Sequence, residues 1–180
     1  MSTATVTGLQ TGTWDIDATH SVVGFNVRHM MVSKVRGRFA DFSGSVTVED
    51  DFAKSTATGS IKSGSIDTNN ADRDAHLRTN DFFDAENHPT IDFVATGVRG
   101  GDTVLGDLTI RGTTHPIELD LEITGVGVDA YGKTRAGLSL TGSFNRKDYN
   151  VSWNNALDGG GVVVGDKVGI ELDLAVVLRD

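Results

Sequence analysis

From Gly106 to Leu121 the chain alternates apolar and polar residues on either side of a short polar break. Val104, Leu108 and Ile110 share one face of the first arm, and Ile117, Leu119, Leu121 and Ile123 share one face of the second. A period of two places alternate side chains on opposite faces of an extended chain, so this is a half-buried antiparallel hairpin. Its turn is expected within Gly112 to Pro116. The same pattern recurs almost from end to end, so the fold class is all-β.

Strands are read at Trp14 to Asp17, Ser21 to His29 and Phe39 to Val48, the last with a phase shift near Asp41 and Phe42 that implies a bulge or bend. Ala57 to Ile66 is a weaker strand, and Ile91, Phe93 and Ala95 mark another. Ala136 to Phe144 and Val168 to Leu178 complete the series. Short helical turns are expected at Met30 to Arg36 and within Asn69 to Asp84. Residues 145–165, with Tyr149, Trp153, Leu157 and the triplet Gly159, Gly160 and Gly161, read as a long loop. Residues 1–12 read as a flexible lead-in and 13–180 as one domain. No helical run is long enough to cover a flat sheet, so closure into a barrel is the expectation. About eight strands enclose a lumen that side chains fill or that holds one small ligand.

The formal net charge of −9 argues against nucleic acid, whose phosphates require clustered Lys and Arg, and against simple adsorption on anionic lipid. With no cysteine, disulfides, thiolate nucleophiles and Cys-based metal sites are excluded. Met1 to Gln10 has no basic start followed by an apolar run, so no secretory signal is read there and a cytoplasmic location is expected. No apolar stretch reaches the roughly 20 residues of a membrane helix.

His20, His29, His76, His88 and His115 lack the paired spacing of local zinc motifs, so no metal site is expected, and His115 reads as a turn residue. His20 and Ser21 would point to opposite faces of a strand, and no Gly-x-Ser-x-Gly elbow occurs, so no catalytic residue is assigned. Asp15 and Asp17 share a face, but on a terminal strand solvation explains them better than acid–base work. The glycine triplet lacks the Lys and Ser or Thr of a phosphate loop. No cofactor is expected.

The apolar stripe is formed by Val23, Phe25, Val27, Phe39, Phe93, Leu108, Ile110, Leu119, Leu121, Leu138, Leu140, Phe144, Ile170 and Leu172. It either packs as core or lines a ligand channel, and the pattern alone favours core. The Arg73 to His76 segment either forms a mouth for a polar head group or pins a loop, with Asp72, Asp74 and Asp81 meeting Arg73 and Arg78.

Several blocks resemble the YceI-like family. They are Trp14 to Ser21 with Phe25 and His29, Gly37 to Phe39 with Phe42 and Gly44, and Ser65 to Thr68. Arg73 to Asp84, Pro89 with Ile91 and Phe93, Leu105 to Gly112, and Arg146 with Asp148 continue the match in order. The resemblance implies a single lipocalin-like antiparallel barrel whose apolar lumen holds a polyisoprenoid or similar long-chain lipid, in a protein that pairs as a homodimer. It tips the stripe toward a lumen wall, joined by Phe42, Phe82 and Trp153. The head group would sit near His29, Arg73, Asp74, His76 and Arg146. The alternative is a lipid-modifying hydrolase or isomerase on the same barrel. Two positions depart from the family pattern: His88 stands where an aromatic is usual, and Tyr149 with Asn150 where Phe-Gly is common.

Overall fold

The computed structural model describes residues 8–154 and 163–180. Eleven strands and one α-helix are found among them: β1 (Gly12–Ile16), β2 (Val22–His29), β3 (Ser33–Phe39), β4 (Phe42–Val48), β5 (Thr56–Lys62), β6 (Ile66–Asp67), α1 (Ala71–Leu77), β7 (Thr90–Arg99), β8 (Thr103–Ile110), β9 (Thr113–Val128), β10 (Thr134–Asn145) and β11 (Val164–Leu178). The order β1-β4-β5-β7-β8-β9-β10-β11 closes when β11 pairs back onto β1, giving an eight-stranded antiparallel barrel. Closure removes the sheet edges that would otherwise be left unpaired.

Near one end the wall is continued by β2, β3 and β6, which extend the lines of β1, β4 and β5. β11 is long enough to pair with β1 through Val176–Leu178 and with β2 through Val164–Asp173. The break between β1 and β2 is a 3-10 turn at Ala18–His20, capped by Asp17, whose carboxylate accepts from the Thr19 amide. His20 and Ser21 therefore lie on a turn and its cap, not on the strand expected for them. The phase shift expected near Asp41 is the gap between β3 and β4, and the expected strand Ala57 to Ile66 is divided by a 3-10 turn at Ser63–Ser65.

Two local expectations are corrected. Met30 to Arg36 is not helical: Val27 pairs with Val35 and His29 with Ser33, so Ser33 onward is strand and Met30 to Val32 is the turn. The apolar period of two outweighs helix propensity here. The β8–β9 turn is Arg111-Gly112 alone, since Ile110 pairs with Thr113. Both turn residues have positive φ, 52° and 77°, the two-residue geometry whose twist matches the flanking strands. His115 is thus a strand residue, its Nε2 lying 2.9 Å from the Asp148 carbonyl oxygen.

The helical turn expected in Asn69 to Asp84 is α1, capped by the Asn70 side chain, which accepts from the Arg73 amide. Of the loop read over 145–165, Arg146–Tyr149 is a 3-10 turn; Leu157 and the glycine triplet lie outside the described residues. Residues 1–7 of the expected lead-in also lie outside them. Among the described residues Leu9 is buried, and the Gln10 carbonyl accepts from the indole of Trp14, which is 1% exposed. No helix among the described residues is long and apolar enough to cross a membrane.

Candidate functional site

The barrel encloses a cavity of about 670 Å³ that runs along its axis. That exceeds by roughly fourfold the ~150 Å³ apolar void that stays dry and takes up benzene, and it lies within the range of small-molecule sites. Every apolar residue expected at the lumen wall lines it, from Val23, Phe25 and Val27 on β2 to Ile170 and Leu172 on β11.

Two phenylalanines of the wall lie against glycines of the sheet. Phe25 is paired with Gly37, and Phe93 lies diagonal to Gly106 across β7 and β8. A β-carbon at Gly106 would stand 2.5 Å from the Phe93 ring, and one at Gly37 would collide with Phe25. Both glycines leave room for a ring to fold onto the sheet instead of crossing the lumen.

The two ends differ. At one end the lining residues Leu9, Ser55, Val98 and Val104 are buried. At the other, His29, Val35, Arg73, His76, Trp153 and Val163 are half-buried. This second end is the mouth. Phe82, His76 and Trp153 cluster there with ring centroids 4.8–5.4 Å apart, His76 edge-on to both partners, and Phe83 meets Phe39 edge-on at 5.8 Å. The titratable residues bordering the cavity, Arg28, His29, Asp72, Arg73, His76 and Arg146, are all at the mouth. The wall beyond is hydrocarbon with scattered Ser and Thr.

The residues expected around a head group have separate fates. His29 lines the mouth. The His76 ring also lines it, held by Asp81 at 2.8 Å. Arg73 lines the mouth and donates from Nε to Thr68 Oγ1 and from one terminal nitrogen to the Thr68 carbonyl, both at 2.7 Å; its other terminal nitrogen makes no hydrogen bond among the described residues. Asp74 does not line the cavity; it is buried, and its carboxylate accepts from the Thr68 amide at 2.9 Å and from the Thr68 hydroxyl. Its neighbour on the helix, Asp72, is the acid at the cavity. The expected ion pairs between these aspartates and Arg73 or Arg78 do not form among the described residues: Arg78 donates to the Gly64 carbonyl, and Asp81 meets His76.

Arg146 lines the cavity but is 3% exposed, and its guanidinium is engaged with backbone. It donates to the carbonyls of Gly165, Val151 and Trp153 at 2.8–2.9 Å and to that of Val164 at 3.3 Å. Burial lowers its pKa from the usual arginine value, against the pull of Asp166. It is a clamp that fixes the Trp153 segment to the start of β11. The departure at 149–150 has a physical reading. Asn150 has φ 62°, a left-handed conformation that Gly adopts freely and Asn tolerates. Tyr149 is buried between His115 and Phe144, where its hydroxyl has no hydrogen-bond partner among the described residues. Neither Tyr149 nor His88 lines the cavity.

Asp15 and Asp17 are not a shared acid pair. Asp15 meets Arg179 at 2.6 Å, while Asp17 meets Arg135 at 2.9 Å and the His20 ring at 2.7 Å. Sequence reasoning missed Val35, hidden by the helical reading of its segment, and Leu9, placed in the lead-in. It also missed Ile16, Phe52, Val98 and Val104 as cavity wall. Val35 carried a signal, the alternation with Gly37 and Phe39.

Residues 14–176 match the model of the YceI-like domain. A UPF0312 protein of Staphylococcus epidermidis is 39% identical over 160 residues, covering 88% of this chain and 93% of that protein. A UPF0312 protein of Photorhabdus laumondii is 41% identical over 140 residues, covering 76% and 73%. Among solved structures, BcnA of Burkholderia cenocepacia superposes with a TM-score of 0.76 at 24% identity, covering 89% of this chain and 99% of that one. A domain from Saccharophagus degradans described as polyisoprenoid-binding superposes at 0.69 with 16% identity, covering 92% and 98%.

Proposed function

Since the chain belongs to the YceI-like family, we propose that it binds one long-chain isoprenoid or similar amphiphilic lipid in its lumen, for storage, transport or presentation. The observation that carries this reading is the continuous apolar cavity with its titratable lining gathered at one end. A long tail gains about 0.8 kcal/mol for each CH₂ taken from water, so hydrocarbon length supplies the affinity and few polar contacts are needed. Phe25, Phe93, Leu119, Leu140 and Ile170 hold the tail; His29, His76 and the free nitrogen of Arg73 meet the head. The polyisoprenoid-binding description of the Saccharophagus degradans domain, a structural neighbour, supports a polyprenyl tail. A lipid-modifying enzyme would need polar groups converging where the tail reacts. The hydrocarbon character of the wall beyond the mouth favours binding over that alternative.

The test is uptake of a dispersed polyprenyl phosphate by delipidated protein, followed by gel filtration. Ile170→Glu, inside the lumen, is expected to abolish uptake at an unchanged fold judged by far-ultraviolet dichroism. Val126→Glu, on an exposed site outside, is expected to leave it intact. Equal uptake by folded Ile170→Glu would place the ligand elsewhere.

A further inference from the structure

The β2–β3 hairpin carries an apolar tip that the lumen does not explain. Met30, Met31 and Val32 form its turn and are 45%, 60% and 84% exposed. Met30 and Met31 have φ of 51° and 59°, consecutive left-handed residues with no glycine between them. Large apolar side chains in a strained, exposed turn are costly to the free protein and point to a role outside its own fold.

The charge behind this tip is opposite to that of the whole molecule. Between Asp17 and Asp41 there is no Asp or Glu, while Arg28, Lys34, Arg36 and Arg38 fall in that stretch of a chain whose net charge is −9. The register sets Arg28 opposite Lys34, Asn26 opposite Arg36 and Gly24 opposite Arg38, so the four cations share the hairpin's outer face. Arg38 meets Asp67 at 3.4 Å. Arg28, Lys34 and Arg36 have no ion-pair partner among the described residues, and the directly opposed Arg28 and Lys34 repel each other in the isolated protein. The inner face of the same hairpin, through Val27, His29 and Val35, is the cavity mouth.

We propose that this hairpin docks the mouth on a lipid bilayer bearing anionic head groups. Met30, Met31 and Val32 enter the boundary between head groups and acyl chains, and Arg28, Lys34 and Arg36 meet the phosphates. The strand rise of ~3.4 Å per residue puts Arg28 and Lys34 within about 7 Å of the tip, matching the ~5–10 Å depth of interfacial insertion. The net negative charge of the remaining surface turns the rest of the barrel away and orients the mouth toward the bilayer. Docking stands on the hairpin's own residues; passage of the ligand between lumen and bilayer at this place rests on the lipid-binding reading above.

The experiment is sedimentation of the full chain with vesicles of phosphatidylcholine alone or mixed with phosphatidylglycerol. Binding is expected to the anionic vesicles only and to fall as salt rises. Met30→Asp with Met31→Asp, residues that tolerate the left-handed turn, is expected to abolish it. Arg28→Gln and Lys34→Gln are expected to weaken it about fivefold for each cation removed. Uptake of dispersed polyprenyl phosphate without vesicles is measured in parallel and is expected to be unchanged in the methionine and Lys34 variants, none of whose residues lines the cavity. Equal binding to neutral vesicles, no binding by the wild type, or undiminished binding by the variants overturns the proposal. So does loss of self-association in the Met variants without vesicle binding by the wild type, which makes the tip a contact between copies. Docking without uptake removes the lumen reading and leaves the docking surface standing; uptake without docking does the reverse.

Discussion

The ring of Phe25 lies over Gly37, its register partner on the neighbouring strand, in the space a β-carbon at that position would occupy. The pair explains how a wall rich in phenylalanine encloses a cavity instead of a packed centre. A side chain at Gly37 must push the ring into the lumen or force the strands apart. Gly37→Ala is expected to lower stability by about 1–3 kcal/mol and to reduce lipid uptake. Chemical denaturation with a parallel uptake titration checks this; a variant matching the wild type in both would show that the ring is not confined by the wall.

Arg146 at the mouth directs its donors at backbone carbonyls. Removing it takes a donor from the buried or half-buried carbonyls of Gly165, Val151 and Trp153, while that of Val164 keeps the Asn154 amide. Arg146→Met is expected to cost about 1–3 kcal/mol for each carbonyl left unsatisfied, measured by urea unfolding. Lysine at this position keeps the charge but lacks the planar fork, so Arg146→Lys is expected to recover only part of the loss. Full stability in Arg146→Met would contradict the clamp.

Tyr149 predicts an alkaline limit. Burial, aided by the nearby Asp148 carboxylate, raises its phenol from 10.0 to about 12. The neutral form is favoured by folding, so its contribution is complete below pH ~10 and is lost as pH rises toward 12. Tyr149→Phe removes a buried hydroxyl that has no partner among the described residues and is expected to be neutral or stabilising by about 1 kcal/mol at pH 7. Its stability is also expected to fall less than that of the wild type between pH 10 and 12. Thermal melts across that range give the answer; parallel curves for the two proteins would contradict it.

Asp17 predicts an acid limit. The hydrogen bonds from His20 and then Arg135 hold its pKa near 2, below the ordinary 3.8. The ionised form is favoured by folding, so its contribution is present above about pH 4 and is lost as pH falls through 2. Asp17 joins the β1–β2 turn to Arg135 on β10, and Asp17→Asn is expected to flatten the acid limb while lowering stability at neutral pH. Melting temperatures at pH 2 to 6 check the difference.

The barrel was legible in the sequence because antiparallel strands with one buried face repeat every second residue. Val104, Leu108, Leu119, Leu138 and Leu140 all face inward as their alternation requires. Where the period is interrupted, legibility failed. The Met30–Met31 turn uses positive φ without glycine, so no turn residue announced it, and a run of apolar and basic residues read as helix. On α1, Asp72 and Asp74, two residues apart, differ in direction by a little over half a turn; one reaches the cavity and the other accepts from Thr68, which composition alone does not distinguish. Arg146 is expected at the mouth from the sequence, but the four carbonyls it meets lie 5 to 19 residues further on and leave no side-chain pattern to read.

The central claim is that the lumen carries one long-chain lipid. Native mass spectrometry of the protein purified from its own cells tests it most directly. The account predicts a species heavier than the polypeptide by the mass of a single lipid, released by organic extraction and restored by a polyprenyl lipid. A homogeneous mass equal to the bare chain, with no uptake of polyprenyl lipid, would contradict it.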